Sequence, residues 1–260
     1  MVAQRTRDLE EMNKELERSN SELQQFAYVA SHDLQEPLRK IMTFSDRLNG
    51  LRNILPDQGK VLLNKIEDSS RRMTRLIDDL LDYSRISRSD GRFMKTDLNK
   101  VLKDVLQDFE VIISQKKATV SIDDLPVIAA IPVQMEQLFH NLLSNALKFT
   151  KPDAPPIITV TCRTITTEEM EKRITLTPNV PYVEIVFTDN GIGFPAEFSE
   201  QIFVIFQRLH DKKLYPGTGI GLALCNRIAL NHGGEIFATS AENEGSEFHI
   251  YLPVRKTTKA

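Results

Sequence analysis

An apolar stripe runs through the first fifty residues with the three- and four-residue steps of a coiled coil. Apart from a serine at position 19, its members are Leu9, Met12, Leu16, Leu23, Phe26, Ala30, Leu34, Leu38, Ile41 and Leu48. The pattern breaks at Asn49-Gly50 and again at residues 56–59, and a second stripe then runs from Leu62 to about Ile86. The sequence therefore predicts an antiparallel helical hairpin.

Two narrow stripes on one hairpin are best buried between two chains. Residues 1–22 carry many charges around the stripe, which is typical of a solvated coiled-coil helix. Residues 23–90 make up the hairpin, and the polar run from Ser87 to Gly91 predicts a hinge. Two such hairpins related by a twofold axis would form a four-helix bundle. We therefore expect a homodimer, with a hairpin packed on its own globular domain as the alternative.

The first helix also carries a histidine next to an acid. His32 lies about 200° around the helix from Ala30, so it faces away from the stripe. Asp33 can accept a hydrogen bond from one ring nitrogen and leave the other as a nucleophile, although a lone helical histidine is more often just a solvated side chain. Ser-His-Asp followed by Pro-Leu-Arg resembles the phosphoacceptor box of two-component sensor histidine kinases, and the wording is most similar to their phytochrome-type branch. This resemblance implies that His32 accepts a phosphoryl group and that Asp33 orients or deprotonates it.

Past residue 91 the helical spacing gives way to alternating, β-rich runs. These runs lie at 93–96, 118–122, 127–131, 157–165, 182–188, 234–240 and 246–252. Helices are predicted at 98–109, with Asp97 as the cap, and at 132–150 and 219–232. A mixed sheet covered on one side by helices is a two-layer α/β sandwich. We assign residues 91–256 to this domain, residues 166–180 to a decorated hairpin loop within it, and residues 257–260 to a tail.

Three polar residues share one face of the helix that starts at Pro132. Asn141 and Asn145 are four apart and Lys148 follows three later. An amide oxygen can bind Mg²⁺ and a lysine can neutralise phosphates, although a solvated polar face has the same pattern. The segment at 140–150, HNLLSNALKFT, resembles the N box of the GHKL ATP-binding family. It implies that Asn145 binds Mg²⁺ and that Asn141 and Lys148 face the phosphates of ATP.

A first glycine-rich turn follows the strand at 182–188. Its two glycines, Gly191 and Gly193, allow a tight turn beside a flat ligand, and Asp189 offers a carboxylate that can accept from an exocyclic amine. The turn DNGIGF resembles the G1 box, in which the aspartate binds the adenine amino group. A surface turn of this composition is common, so the motif alone is weak.

The next motif, at 202–208, resembles the F box. By that resemblance Phe203 and Phe206 pack at the base of a mobile lid. The two phenylalanines could equally be ordinary core residues. The polar segment at 209–216 is interpreted as the ATP lid.

A second glycine-rich turn opens the helix predicted at 219–232. Free amide groups and the positive end of the helix dipole make such an N-terminus an anion site. The run resembles the G2 box, which implies nucleotide contacts by Gly217, Thr218, Gly219, Gly221 and Leu222. The order of the four boxes implies the Bergerat-type ATP-binding fold, and the resemblance covers the chain from about Leu23 to Pro253.

Charge and hydropathy exclude some other classes of protein. The net charge of −3 provides no basic field for nucleic acid. No apolar run reaches the length of a membrane span, and the N-terminus has no secretory signal. Cys162 and Cys225 fit a reducing compartment and are expected to be packing residues. We expect a cytoplasmic chain without a membrane segment and without its upstream sensor domain.

Together the resemblances imply an ATP-dependent protein-histidine kinase. Mg·ATP would bind to the α/β domain, His32 would attack the γ-phosphorus, and the phosphoryl group would pass to an aspartate of a response-regulator receiver domain. Catalysis would depend on positioning and on charge neutralisation by Mg²⁺, Lys148 and Arg208. The alternatives are a GHKL-type ATPase machine, which leaves the histidine box without a purpose, and a non-enzymatic dimeric scaffold, which would not bind ATP.

Glu36 departs from the family pattern. In the phosphatase-competent kinases that this chain resembles, the residue four after the histidine is usually a neutral Thr, Asn or Gln that is thought to orient a water molecule. An ionised carboxylate can only accept hydrogen bonds and would repel an aspartyl phosphate. Arg39 or Lys40 is placed to pair with it, and Glu36 could also be only a solvated helix residue. The departure predicts weak or absent regulator phosphatase activity.

Overall fold

The computed structural model describes residues 31, 33–86, 91–166, 176–177, 180–209, 215 and 217–254. The chain divides into two compact units, Met1–Arg85 and Ile86–Ala260, and each is described by itself. His32 lies outside the described residues, as do the predicted coiled-coil segment at 1–22, most of the predicted hinge and lid, and the tail at 257–260. Among the helices that are described, none is long and apolar enough to cross a membrane.

The first unit is a helical hairpin, as predicted. Helix α1 is described at residue 31 and over 33–50, and helix α2 covers Asp57–Ile86. A turn with a short 3-10 helix, Arg52–Ile54, joins the two at the predicted breaks. The helices run antiparallel, since Gln35 Nε2 donates to Asp78 Oδ1 at 3.1 Å near the start of α1 and Thr74 Oγ1 lies 3.4 Å from Met42 Sδ further along.

The buried face of the hairpin repeats every seven residues and alternates small with large side chains. The side chains on this seven-residue repeat, each less than one-tenth exposed, are Ser31, Leu38 and Ser45 on α1 and Leu63, Ser70, Ile77 and Ser84 on α2; Leu81 and Ile86 of α2 are also buried. Leu38 packs with Ile77 and Leu81 in one apolar cluster. Serines between larger residues leave little bulk between the helices, so the hairpin has a thin core.

Six residues of the predicted stripes are not covered within one chain. All six are large and apolar, and their side chains are 43–59% exposed. They are Leu34, Ile41 and Leu48 on α1 and Leu62, Ile66 and Met73 on α2. Large apolar side chains that recur in this way along exposed helices are typical of an interaction face. The predicted stripes therefore contain two sets of residues, one buried inside the hairpin and one exposed on its outer surface.

The second unit is built on a mixed five-stranded sheet with the order β2-β4-β5-β7-β6. Its strands are β2 (Thr119–Ile122), β4 (Ile157–Thr164), β5 (Tyr182–Asp189), β6 (Glu235–Ala241) and β7 (Gly245–Pro253). Strand β2 pairs parallel to β4, and the other neighbours are antiparallel. A separate antiparallel pair joins β1 (Met94–Asp97) to β3 (Val127–Ala130). All seven predicted strands are present, with β1 starting one residue later than predicted.

In the part of this unit that the structure describes, four α-helices accompany the sheet. They are α3 (Leu98–Asp108), α4 (Glu110–Lys116), α5 (Pro132–Lys148) and α6 (Gly221–Asn231). Asp97 caps α3 as predicted, because its side chain accepts from Asn99 N at 3.0 Å. The sequence did not reveal α4. Its apolar residues Val111 and Ile112 are 65% and 40% exposed, so they follow no buried face that a periodic pattern could show.

The main core lies between α5 and one face of the sheet. Phe139 of α5 contacts Phe187 of β5 with ring centroids 5.6 Å apart, and both are buried. Cys225 on α6 is also fully buried, as its predicted packing role requires, whereas Cys162 is only partly so. The opposite face of the sheet has a smaller cluster that includes Leu176, so part of the segment predicted as a loop covers that face.

His232 connects helices α5 and α6. It is 1% exposed, its Nε2 accepts from Ile131 N at 3.1 Å, and its Nδ1 lies 2.8 Å from Ile228 O. The first bond holds the residue before α5, and the second holds the last turns of α6. The ring therefore fixes the start of α5 against the end of α6.

Candidate active site

The polar face of α5 is present as predicted. Asn141, Asn145 and Lys148 are partly exposed, whereas the intervening Leu142 and Leu143 are buried. Lys148 Nζ lies 4.2 Å from the centroid of the Phe149 ring, and it would be only 2.8 Å from a Cβ atom at Gly217. The lysine therefore reaches from the end of α5 to the segment that precedes α6.

A second cation lies beside Lys148. Arg208 donates from Nη1 to Gly217 O at 2.5 Å and from Nη2 to Tyr215 O at 2.7 Å. Burial, together with the positive charge of Arg208, lowers the pKa of Lys148 to about 8. Each of these two effects disfavours the charged ammonium, so an anion placed between the two cations would stabilise both.

The start of α6 faces the same region. Gly219 has a left-handed φ of 79°, which a residue with a side chain rarely adopts, and it brings the backbone into the first turn of the helix. Asn141 Oδ1 would lie 3.2 Å from a Cβ at Gly221, so Asn141 packs against this turn. Its Nδ2 is buried and is directed towards the buried Cys225 thiol, to which the Asn141 side chain donates a weak hydrogen bond. Thr218 Oγ1 accepts from Ile220 N at 3.4 Å, and Leu222 is partly exposed on the same turn.

The helix start and the two cations together form an anion site. The first amide groups of an α-helix have no partner inside the helix, and its dipole favours negative charge there. Here the N-terminus of an eleven-residue helix lies close to Lys148 and to the side-chain amide of Asn141. This arrangement can hold a phosphate chain.

Asp189 provides a different chemistry at the end of β5. It is 9% exposed, and its Oδ1 accepts from Gly191 N at 2.8 Å. Burial raises the pKa of Asp189 to about 6, against the opposing effects of the backbone amides of Gly191 and Ser246 and the charge of Lys151. A buried acceptor of this kind fits an amino group on a flat ring.

The turn after Asp189 is held by close backbone contacts. Ile192 N donates to Phe149 O at 2.9 Å, which connects the turn to the end of α5. Gly193 has a φ of 60°, and a Cβ there would lie 2.0 Å from Ala241 O. Glycine is required at this position because any side chain would collide with the neighbouring strand.

The F-box phenylalanines differ in their surroundings. Phe203 ends a short 3-10 helix, Gln201–Phe203, and is partly buried. Phe206 is 57% exposed with a φ of 66°, and its backbone N donates to Gly219 O at 2.9 Å. Phe206 is therefore not a core residue, and its backbone connects the F box to the start of α6.

Two family models match most of the chain. Residues 130–256 match the model described as "Histidine kinase-, DNA gyrase B-, and HSP90-like ATPase", and residues 22–89 match the "His Kinase A (phospho-acceptor) domain". The chain belongs to the two-component sensor histidine kinases.

The relatives of this sensor histidine kinase include phytochromes. Cyanobacterial phytochrome A from a Nostoc species is 38% identical over 98% of this chain and 31% of its own length. Phytochrome-like protein Cph1 from a Synechocystis species is 33% identical over 98% of this chain and 32% of its own. The kinase chain therefore spans about a third of the length of these relatives.

Solved structures share the fold. Full-length ShkA, solved with AMPPNP, aligns with a TM-score of 0.67 and 20% identity over 90% of this chain and 47% of its own. Histidine kinase ThkA, solved in complex with response regulator protein TrrA, aligns with a TM-score of 0.60 and 20% identity over 94% of this chain and 66% of its own. At this identity the likeness supports the fold of the sensor histidine kinase and nothing finer.

In the helical unit of this kinase, two acidic residues that follow the predicted phosphoacceptor are exposed, whereas Ser31 directly before it is buried. Asp33 is exposed on α1. Glu36 Oε1 lies 2.7 Å from Lys40 Nζ, with the two side chains 63% and 65% exposed. Of the two predicted partners for Glu36, the structure selects Lys40. An exposed pair of this kind is worth about 0–1 kcal/mol, so it offsets little of the carboxylate's charge.

Three residues near the kinase's candidate nucleotide site were not singled out from the sequence. Phe149 and Tyr215 place their ring centroids 5.1 Å apart beside Lys148. Asn190 uses both ends of its side-chain amide to bind backbone groups near the start of β4. The sequence carried a signal only for Asn190, as part of an Asp-Asn-Gly turn, and that signal indicates a turn rather than a long-range bond.

Proposed function

We propose that this chain is an ATP-dependent protein-histidine kinase that phosphorylates itself on His32 and passes the phosphoryl group to an aspartate of a response-regulator receiver. The observation that carries the proposal is the cationic pair, Lys148 and Arg208, next to the free amides at the start of α6. Because the chain also matches a phosphoacceptor domain, this anion site would bind the phosphates of the ATP that supplies the phosphoryl group.

In this proposal ATP binds across the α/β unit. The adenine amino group donates to Asp189, while the phosphates meet the first turn of α6, Lys148 and Asn141. The position of Asn141 supports this placement, because its side-chain amide packs against the first turn of α6, where Oδ1 would lie 3.2 Å from a Cβ at Gly221. ShkA, which shares the fold, was solved with AMPPNP, which is consistent with a nucleotide here.

The residues present also fit Mg²⁺. Asn145 lies one turn from Asn141 on the same partly exposed face, and an amide oxygen is a neutral, hard ligand that suits a cation already bound to phosphates. We assign Asn145 as the protein ligand. When bound, the metal would neutralise charge on the phosphates, and the chain's own contribution is to orient them.

The chemical step follows from these assignments. A ring nitrogen of His32 forms a bond to the γ-phosphorus, the bond from that phosphorus to the bridging β–γ oxygen breaks, and ADP leaves. Asp33 holds or takes the proton on the other ring nitrogen. The phosphoryl group then moves from nitrogen to the carboxylate of a receiver aspartate. ThkA, which shares the fold, was solved with a response regulator, which is consistent with such a partner. Because ATP supplies the phosphoryl group, we propose that the kinase acts in the cytoplasm.

We also propose that the working form is a homodimer. Six large apolar side chains on the outward stripe are 43–59% exposed in one chain, and burying the remaining half of one such side chain is worth about 1 kcal/mol. A second hairpin would cover them in a four-helix bundle, which is the arrangement that the matched phosphoacceptor domain favours.

Incubation of the whole chain with γ-labelled ATP separates this function from its alternatives. A histidine kinase acquires label that acid removes and alkali does not, because a phosphorus–nitrogen bond behaves in this way. An ATPase machine releases labelled phosphate without labelling the chain. A scaffold binds no nucleotide. Absence of nucleotide binding in a titration would therefore contradict both the histidine kinase and the ATPase.

Replacing Asn145 with alanine is expected to reduce Mg²⁺-dependent phosphorylation far more than metal-free nucleotide binding. The amide oxygen is assigned to the metal, so its loss weakens binding only when Mg²⁺ is present. The measurement is the dissociation constant for ATP with Mg²⁺ and with a chelator, in wild type and variant. Equal losses under both conditions would indicate that Asn145 has a structural role.

Glu36 is expected to leave the kinase with weak or absent activity as a regulator phosphatase. A carboxylate near an aspartyl phosphate would cost about 1–4 kcal/mol of repulsion at 4 Å. The measurement is dephosphorylation of a phosphorylated cognate receiver by wild type, Glu36→Thr and Glu36→Asn. Brisk dephosphorylation by the native chain, lost in both variants, would show that the carboxylate does the work of the neutral residue.

A further inference from the structure

Asn190 extends the contact between β4 and β5 beyond the end of the strand ladder. The last regular pair joins Asp189 to Ile158. One residue further on, Asn190 N donates to Ile157 O at 3.2 Å, and the side-chain Oδ1 of Asn190 accepts from Ile157 N at 2.8 Å. The side chain therefore makes the bond that the backbone of another strand residue would have made.

The other end of the same amide reaches a stiff anchor. Asn190 Nδ2 donates to Pro155 O at 3.1 Å. Pro155 is followed by Pro156, so two fixed backbone angles precede β4, and Pro156 O in turn accepts from Thr119 N at 2.8 Å in the neighbouring strand. The amide thus connects the turn to a segment that has little freedom of its own.

A second contact holds the far side of the turn. Ile192 N donates to Phe149 O at 2.9 Å, so the turn at 190–192 is bound to both ends of the segment between α5 and β4. Asp189 lies immediately before this turn and takes a bond from Gly191 N within it. The position of the Asp189 carboxylate therefore depends on how firmly the turn is held.

We propose that Asn190 is a positioning residue that clamps the turn after β5 to the segment before β4 and thereby holds the Asp189 carboxylate in place for the adenine amino group. This inference rests on the proposed nucleotide site. It assigns to Asn190 no contact with the nucleotide; the residue acts through Asp189.

A matched control exists elsewhere in the same unit. Asn99 makes the same kind of two-point bond, accepting from Leu125 N at 2.8 Å and donating to Leu125 O at 2.6 Å. It fixes the start of α3 and none of the candidate site residues. Alanine at either position removes one side-chain amide with two backbone bonds, so the two variants share a general effect on stability.

The first measurement is the dissociation constant of the full chain for ADP without metal. Asn190→Ala is expected to weaken binding about tenfold, since the loss of one well-placed hydrogen-bonding group is typically worth a factor of that order. Asn99→Ala is expected to stay within about twofold, as distant sites are nearly independent. Asn190→Ser keeps a small polar side chain that cannot bridge both anchors, and it serves as the variant if alanine prevents folding.

The second measurement follows the titration of the Asp189 carboxyl by carbon NMR in the nucleotide-free chain. Release of the turn would let water reach this carboxyl, so in Asn190→Ala the titration midpoint is expected to fall from about 6 towards its ordinary value. In Asn99→Ala it is expected to stay unchanged. A purely structural role for Asn190 would lower the stability of the chain without moving this midpoint.

The outcomes separate the inference from the function on which it rests. If wild type binds no ADP, the proposed nucleotide site is wrong, while the carboxyl titration still tests the clamp. An Asn190→Ala chain that keeps both the ADP affinity and the Asp189 midpoint of wild type would overturn the inference.

Discussion

Replacing His32 with glutamine is expected to abolish phosphorylation of the chain by labelled ATP. Glutamine can form hydrogen bonds, but its amide nitrogen has no available lone pair with which to attack phosphorus. Nucleotide affinity is expected to stay within about twofold of wild type, because residue 32 and the nucleotide residues belong to different compact units. The measurements are acid-labile label on the protein and a nucleotide titration of the same preparation.

His140→Gln is the control for this substitution. His140 is exposed on α5, where its ring centroid lies 4.8 Å from that of Phe109, and it has no assigned part in the reaction. The control chain is expected to take up label as wild type does. Acid-labile, alkali-stable label in the His32→Gln chain would move the phosphoacceptor to another residue.

Replacing Asp189 with asparagine is expected to weaken ATP binding by about 1.5–3 kcal/mol, the usual value of a hydrogen bond to a charged group. The raised pKa of about 6 adds a pH dependence. Wild-type affinity is expected to fall as the pH drops below about 6, since the protonated carboxyl no longer attracts the adenine amino group through its charge. The variant has no such ionisation, so its affinity is expected to change little over this range. An affinity that is the same in wild type and variant would remove Asp189 from the site.

The ionisation of Asp189 is expected to change the free energy of unfolding in the direction opposite to its effect on nucleotide affinity. Because the folded-state pKa of Asp189 lies above its ordinary value of 3.8, the folded chain holds this proton more tightly than the unfolded chain. Wild type is therefore expected to gain stability relative to Asp189→Asn as the pH falls through 6 towards 4, by about 2–3 kcal/mol at most. Denaturant unfolding of both chains at several pH values measures this difference. The buried carboxylate thus lowers stability under the conditions in which it is proposed to bind nucleotide.

Much of the architecture could be predicted because it follows local patterns. The seven strand segments are alternating or rich in β-forming residues, α3 begins at a capping aspartate, and the hairpin turn is flanked by glycine and proline. The polar face of α5 was equally clear, since Asn141, Asn145 and Lys148 follow helical spacing. Each of these features depends on residues that are close together in the sequence.

The features that the sequence did not reveal either lack a buried face or depend on contacts with residues elsewhere in the chain. Helix α4 has exposed apolar residues, so no buried period marks it. Arg208 was predicted to neutralise phosphate charge, but its two bonds to the carbonyls of Tyr215 and Gly217 could be seen only in the structure. The same holds for Asn190, whose partners lie more than thirty positions away. An amide or guanidinium in a turn gives no sign of which distant carbonyl it will meet.

The serines on the inner face of the hairpin have a consequence for how the helical unit loses its structure. A buried serine removes much less apolar surface from water than a leucine, so the α1–α2 contact contributes little free energy by itself. In the proposed dimer most of the stabilising surface would lie on the outward stripe, which a single chain cannot cover. The helical unit would then be stable only as a pair, and its unfolding would depend on protein concentration whereas that of the α/β unit would not. Dilution would therefore lower the stability of the helical unit while leaving the stability of the α/β unit unchanged.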